Sequence, residues 1–425
     1  MPARGIAART RDRPLIDVGE LAPLWLLVGI LAATVIVAVV AGRSAVPASV
    51  GLVLVGLAIS IVGPDVRLPI SPGLLLAVVL PGLVFEAAFR TDLAVLRPSV
   101  VSVFVLAIPG VVVVAAIVAV VLTITTSLSP TEGFLVGAMV AATDPAAVLS
   151  TFRGVSVPPR LATMVEMESL VNDGTGIVLF SLAIELLGGG GSVGGSIAAF
   201  VVRMLGGAVL GAAVGWLAAR VVRRVDDHLA ELTITVVLAY GTYLVAEALG
   251  MSGVIATLVA ASAFGALARG SLTRQAVESI DVVWEFVAFL LTAAVFLLVG
   301  VSIAPEALTS AAGAIGWGIA AILVARAAVV YGVIGAGSAV VSRLATRRGG
   351  TIDGAAAVPR AWLHVLFWAG LRGAVSVALA LSIPSDLPNR DLIQGITFGI
   401  VLFTLIVQGS TAGLVVRRSG ATAAA

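Results

Sequence analysis

The sequence predicts an all-α polytopic membrane protein of about 13 transmembrane helices, with inverted repeats and two crossing interrupted helices, spans 5 and 12. Three observations predict it. Of the 425 residues, 60% are hydrophobic and only 11% charged, against about 25% charged in a soluble domain. Charge this sparse cannot wet a globular surface, so the surrounding solvent is lipid. Apolar runs of roughly 18 or more residues recur along the whole chain, each able to cross about 30 Å of hydrocarbon. Two of those runs carry polar residues and helix breakers at their centres, which lipid tolerates only where they face protein or water.

The runs fall near 23–42, 47–62, 72–89, 98–124, 132–152, 160–186, 193–222, 229–249, 251–268, 279–303, 307–341, 361–382 and 392–416. Short linkers rich in Gly, Pro or Arg separate them, such as GGGGSVGG at 188–195 and RLATRRGG at 343–350. Residues 1–22 carry Arg4, Arg9, Arg11 and Arg13 before a long run without a clean small-residue cleavage site, so the first helix is expected to be retained. Sixteen arginines lie in loops after odd-numbered spans, whereas six lie on the other side: the four of the N-terminal tail, Arg67 and Arg390. By the positive-inside rule the C-terminus is cytoplasmic and the N-terminus external, although the tail arginines oppose that reading.

Composition also excludes function classes. With no cysteine there are no disulfides, thiolate nucleophiles or Cys-based metal sites. Two histidines, His228 and His364, cannot build a multi-His metal centre. All 25 basic residues are arginine and the net charge is +2, too small for nucleic-acid binding. No cofactor is expected. A G-x-S-x-G match, Gly190 to Gly194 around Ser192, raises an intramembrane hydrolase, but it lies in a glycine run between spans and not on a strand-to-helix elbow. An ion channel would need charges lining a continuous pore, and here they cluster at one depth.

Outside the loops, Glu86, Asp144, Glu166, Glu168, Asp173, Glu185, Arg203, Glu247, Glu285, Arg326 and Arg372 fall within spans. Each costs at least about 2.5 kcal/mol at a helix centre in lipid. Arg203, Glu185, Glu247 and Glu285 lie near span ends, where their charges can snorkel to the interface. The segment ESLVND, 168–173, lies within the sixth span: Ser169 and Asp173 share one helical face, Glu168 and Asn172 the adjoining one. The fifth span holds Thr143, Asp144 and Pro145 at its centre, and the proline frees carbonyls near position 141. Carbonyls, Thr143 and Asp144 form an all-oxygen environment suited to a hard cation such as Na⁺. The twelfth span holds Gly370 and Gly373 flanking Arg372. Two broken helices in corresponding halves point to a transporter site near the midplane.

The motifs FEAAF at 85–89, TDP at 143–145, ESLVND at 168–173 and GLRGAVSVALAL at 370–381 occur in the order found in the monovalent cation:proton antiporter-1 family, which the chain resembles over nearly its whole length. The resemblance implies a Na⁺/H⁺ antiporter of the prokaryotic type in the cell (inner) membrane. Asp173 would be the carboxylate that binds Na⁺ or H⁺, with Asp144, Thr143 and Ser169 as further Na⁺ ligands. Asn172 would hold the broken helices together, Glu168 would pair with Arg326, Arg372 would stabilise the unwound twelfth span, and Glu86 would face the ion path. It also implies a homodimer, with 23–91 and 229–303 as the scaffold, 98–186 and 307–416 as the moving core, 193–222 as a linker helix and 417–425 as a short tail. The long cytosolic tail of the animal exchangers is not present, so regulation through it is not expected. With Asn172 in place of a second acid, electroneutral one-for-one exchange is expected. Li⁺ is a further candidate substrate, and K⁺/H⁺ exchange at the same residues stays open as the alternative.

Overall fold

The computed structural model describes residues 22–41, 47–62, 72–152, 155, 157–190, 192–303, 305–340 and 357–421. Nearly all of the expected N-terminal tail, the loop arginines Arg43, Arg67, Arg153, Arg343, Arg347 and Arg348, and the end of the C-terminal tail lie outside these residues. Among the described residues the secondary structure is helical, with no strand. The first helices are α1 (Ala22–Ala41), α2 (Ala48–Val62), α3 (Pro72–Arg90) and α4 (Leu93–Thr125). Then follow α5 (Pro130–Ala141), α6 (Ala146–Phe152), α7 (Pro159–Leu187) and α8 (Val193–Val222). The second half holds α9 (His228–Ala248), α10 (Gly253–Ala268), α11 (Arg274–Ser302), α12 (Pro305–Ser310), α13 (Ala312–Val340), α14 (Arg360–Trp368), α15 (Ala374–Leu381) and α16 (Arg390–Ser419). Eight of them are long and apolar enough to cross a membrane unaided.

Caps explain where helices begin. A helix leaves its first N–H groups unsatisfied, and lipid offers no acceptor. Asp92, Asp227, Ser252 and Thr273 each supply a side-chain oxygen at the start of α4, α9, α10 and α11. The caps at Asp92 and Thr273 start α4 and α11 five residues earlier than hydropathy alone suggests. Ser129 and Glu132 close a reciprocal capping box on α5. The run at 307–341 is not one helix: it breaks at Ala311, leaving α12 as a short lead-in to α13.

Small residues let backbones meet. Gly207, Gly211 and Gly215 recur every fourth residue on α8 and lie against the α10 backbone; a Cβ on Gly211 would come within 2.2 Å of Ala256 O. Gly56 on α2 and Gly300 on α11 face each other in the same way: a Cβ added to either would come within 2.2 Å of a carbonyl of the opposite helix. Packing is extensive within α2, α3, α8, α10 and α11, and within α4, α5, α7 and α13. Between α3, α11 and α15 lies an apolar seam lined by Leu75, Leu80, Val295, Val375 and Ala378.

Candidate functional site

The helix α5 stops at Ala141, and residues 142–145 are unwound before α6 begins. Pro145 explains the stop: it lacks an N–H and its ring clashes with the preceding turn. Across the molecule, α14 ends at Trp368 and α15 starts at Ala374, leaving 369–373 unwound. The two breaks touch through the main chain: Asp144 N–H donates to Leu371 O at 2.8 Å. Gly373 makes the contact possible, because a Cβ there would lie 2.2 Å from Asp144 Oδ2. Ser376 adds a second tie, donating to Met139 O at 2.7 Å.

The middle of α7 packs onto the first break. Thr143 N–H donates to Asn172 Oδ1 at 3.0 Å, and Asn172 Nδ2 donates to Thr143 Oγ1 at 2.6 Å. The Ser169 hydroxyl donates to Thr143 O. Asn172, Ser169 and Thr143 are all buried. The family resemblance offers Thr143 and Ser169 as oxygen ligands for a cation. The Ser169 hydroxyl is spent on the Thr143 carbonyl and the Thr143 hydroxyl oxygen accepts from Asn172, so both side chains also hold the unwound backbone in shape.

The two aspartates are left less encumbered. Asp144 Oδ1 accepts from Ala146 N–H at 3.0 Å, capping α6. Asp173 lies within electrostatic reach of Asp144. Asp173 Oδ1 is shielded from solvent and has no hydrogen-bond partner among the described residues. Both side chains are half-buried. A shielded carboxylate oxygen without a donor is costly unless a proton or a cation meets it.

Glu168 is the opposite case. It is buried and binds Arg326 of α13 with both oxygens, Nη2 to Oε2 at 2.9 Å and Nη1 to Oε1. Arg326 Nη2 also donates to Leu366 O at 2.7 Å, drawing α14 to the pair. Arg372 is 1% exposed; its backbone N–H donates to Thr404 Oγ1 at 3.0 Å and its Nη1 to Gly370 O. Thr404 opens a π-helical segment of α16, Thr404–Gly409, and Arg326 lies two residues before another, Ala328–Gly335 in α13. At formal charges, Asp144, Asp173, Glu168, Arg326 and Arg372 leave this cluster with one net negative charge.

Glu86 sits elsewhere on α3. Its carboxylate pairs with Arg90 at 2.8 Å, one turn along the same helix, and Arg90 reaches Glu285 at 3.7 Å. Glu166, half-buried on α7, is within electrostatic reach of Glu86 and Arg90. It lies seven residues before Asp173, two helical turns or about 10 Å. The span-end charges are paired or capping: Arg203 with Glu185 at 2.5 Å, and Glu247 accepting from Gly253 N–H at 2.9 Å. Sequence reasoning missed Ser376, Thr404 and Glu132, whose Oε1 accepts from Asn389 at 3.1 Å. No local pattern marks Ser376 or Thr404. The S-x-x-E box around Glu132 was the available signal.

The family described as "Sodium/hydrogen exchanger, transmembrane" matches residues 29–418. The chain is 35% identical to the Na⁺/H⁺ antiporter NhaS2 of Synechocystis sp. over 394 residues, covering 92% of this chain and 70% of that protein. It is 37% identical to the Na⁺/H⁺ antiporter ApNhaP of Aphanothece halophytica, covering 88% and 70%. The fold is similar to that of the sodium proton antiporter MjNhaP1 of Methanocaldococcus jannaschii, with a TM-score of 0.69, 20% identity, and coverage of 93% of this chain and 99% of that one.

Proposed function

The chain belongs to the sodium/hydrogen exchanger family, and we propose that it is a secondary-active Na⁺/H⁺ antiporter working one-for-one at Asp173 and Asp144. The observation that carries this reading is the shielded, unpartnered Asp173 oxygen inside a cluster one positive charge short of neutral. One Na⁺ or one H⁺ completes that neutrality, and binding either removes the need for the other. Competition for a single site is enough for exchange, provided the empty, charged form does not cross. Desolvating the net charge opposes that crossing.

In this reading Asp173 alternates between proton and cation, and Asp144 shares the cation. Thr143 and Ser169 offer remaining lone pairs, and Asn172 keeps the break in register. Glu168 and Arg326 neutralise each other and do not titrate during transport. Arg372 holds the second break, and Glu86 with Glu166 lies on the approach to Asp173. The α4–α7 and α12–α16 set acts as the moving core, with α1–α3 and α9–α11 as the scaffold and α8 as the linker between them. The seam at Leu80, Val295 and Val375 supports this, since the side chains lining it are all apolar. The multi-pass chain is assigned to the inner membrane as a homodimer with a cytoplasmic C-terminus. Li⁺ is expected as a second substrate. The curated relatives described above are named for Na⁺, which does not favour the K⁺ reading.

The test is cation-driven proton flux in proteoliposomes with an internal pH dye. Wild type should respond to external Na⁺, and Asp173→Asn, which keeps the shape and removes the charge, should not. A Na⁺ response that survives in Asp173→Asn would remove Asp173 from the exchange chemistry.

A further inference from the structure

A second polar cluster lies at one end of the bundle, away from the aspartates. Arg160 opens α7; its Nε donates to Ser99 Oγ at 2.6 Å, and its guanidinium carbon lies 5.3 Å from the centre of the Trp362 ring. Arg160 Nη2 is shielded and has no hydrogen-bond partner among the described residues. Arg97 lies two residues before Ser99, and Arg360 two before Trp362; both are exposed. Among the described residues none of the three arginines forms an ion pair. The helices α7 and α14 both begin here behind a proline N-cap, Pro158 and Pro359, without a side-chain hydrogen bond on the first turn. Three unpaired guanidiniums and two uncapped helix N-termini all favour negative charge at this point.

The surroundings select the source of that charge. Beyond Ser99 along α4, Val101 is 75% and Phe104 52% exposed, forming an apolar surface beside the cationic one. Trp362 has the amphipathic ring typical of a membrane–water boundary. Trp368 Nε1 donates to Thr411 Oγ1 at 2.9 Å, tying α14 alongside the last turns of α16. Arg417 and Arg418 therefore leave the bundle at the same end. A phosphate with an acyl chain attached satisfies both surfaces, whereas a free phosphate satisfies only one.

We propose that Arg97, Arg160, Arg360 and Trp362 form a binding site for the phosphate headgroup of an anionic phospholipid in the leaflet at this end of the protein. The guanidinium of Arg160 supplies the forked donor that matches phosphate oxygens, and the exposed Arg97 and Arg360, each two residues from one of its partners, add positive charge at the same end.

Native mass spectrometry of the purified full-length chain, titrated with phosphatidylglycerol or phosphatidylcholine, tests this. Wild type should retain phosphatidylglycerol preferentially. Each arginine facing an anionic headgroup contributes roughly fivefold, so the Arg160→Gln, Arg360→Gln double variant should bind it roughly 25-fold more weakly. Arg274→Gln is the control, since Arg274 is 94% exposed and pairs with Glu278 at 3.1 Å; it should leave retention unchanged. If the double variant does not fold, Arg360→Gln decides, because that exposed side chain has no buried contact to lose. Equal phosphatidylglycerol retention in wild type and the arginine variants would overturn the proposal. Displacement of the lipid by millimolar inorganic phosphate would overturn the lipid assignment as well.

Discussion

Glu168 and Asp173 lie on the same helix, five residues apart, and their surroundings differ in kind. Glu168 meets a bidentate guanidinium that also grips the α14 backbone. Asp173 has an oxygen shielded from water that no group among the described residues hydrogen-bonds. A charge saturated by protein groups gains little from an exchangeable ion, so it can serve as architecture. A charge left short of partners stays available to whatever cation arrives. In the lipid interior both cost free energy, and the fold meets the two costs differently.

The sharpest way to break this contrast is to unbalance the saturated pair. Arg326→Met should destabilise the protein by about 3–5 kcal/mol, because it leaves Glu168 buried and alone. The Glu168→Leu, Arg326→Met double variant should recover most of that loss; thermal unfolding in detergent measures both. If the double variant still exchanges Na⁺ for H⁺, the pair is structural; if it folds yet is silent, Glu168 belongs with Asp173. Next comes Gly373→Ala, which puts a Cβ 2.2 Å from Asp144 Oδ2. Displacing that carboxylate by about an ångström should lower the exchange rate by roughly 100-fold, with little change in elution or melting. The smallest change in rate, under about tenfold, is expected for Asn172→Asp. It adds one negative charge to the cluster without enlarging the side chain. Exchange should then respond to membrane potential, whereas wild type should not, as read from proton flux in vesicles clamped at two potentials. A potential-dependent wild type would undo the one-charge account.

Much of this was legible in the sequence. Pro145 announces the first break because a proline cannot continue a helix, and the glycines around Arg372 mark the second. Asp173 stood out because its charge has no place in lipid. The Glu168–Arg326 contact spans 158 residues and no local rule reaches that far; it came from family resemblance. The mutual hydrogen bonds of Ser169, Thr143 and Asn172 were not legible either, since composition does not reveal which way a hydroxyl points. Glu86 shows a signal passed over: Arg90 four residues on is the spacing of a helical ion pair, and that pair is what forms.

The bond between Asp144 N–H and Leu371 O is made by main-chain atoms alone. At position 144 only proline removes its donor; elsewhere a substitution acts on it only by shifting the backbone, as a Cβ at Gly373 would. Variants selected for a different ion can therefore exchange side chains around the aspartates while the crossing point stays where it is. The positions that cannot drift are those that give the backbone its path, Pro145 and Gly373. In a laboratory evolution experiment these two should remain silent while their polar neighbours accumulate changes, so the most constrained letters of the site are two that carry no charge.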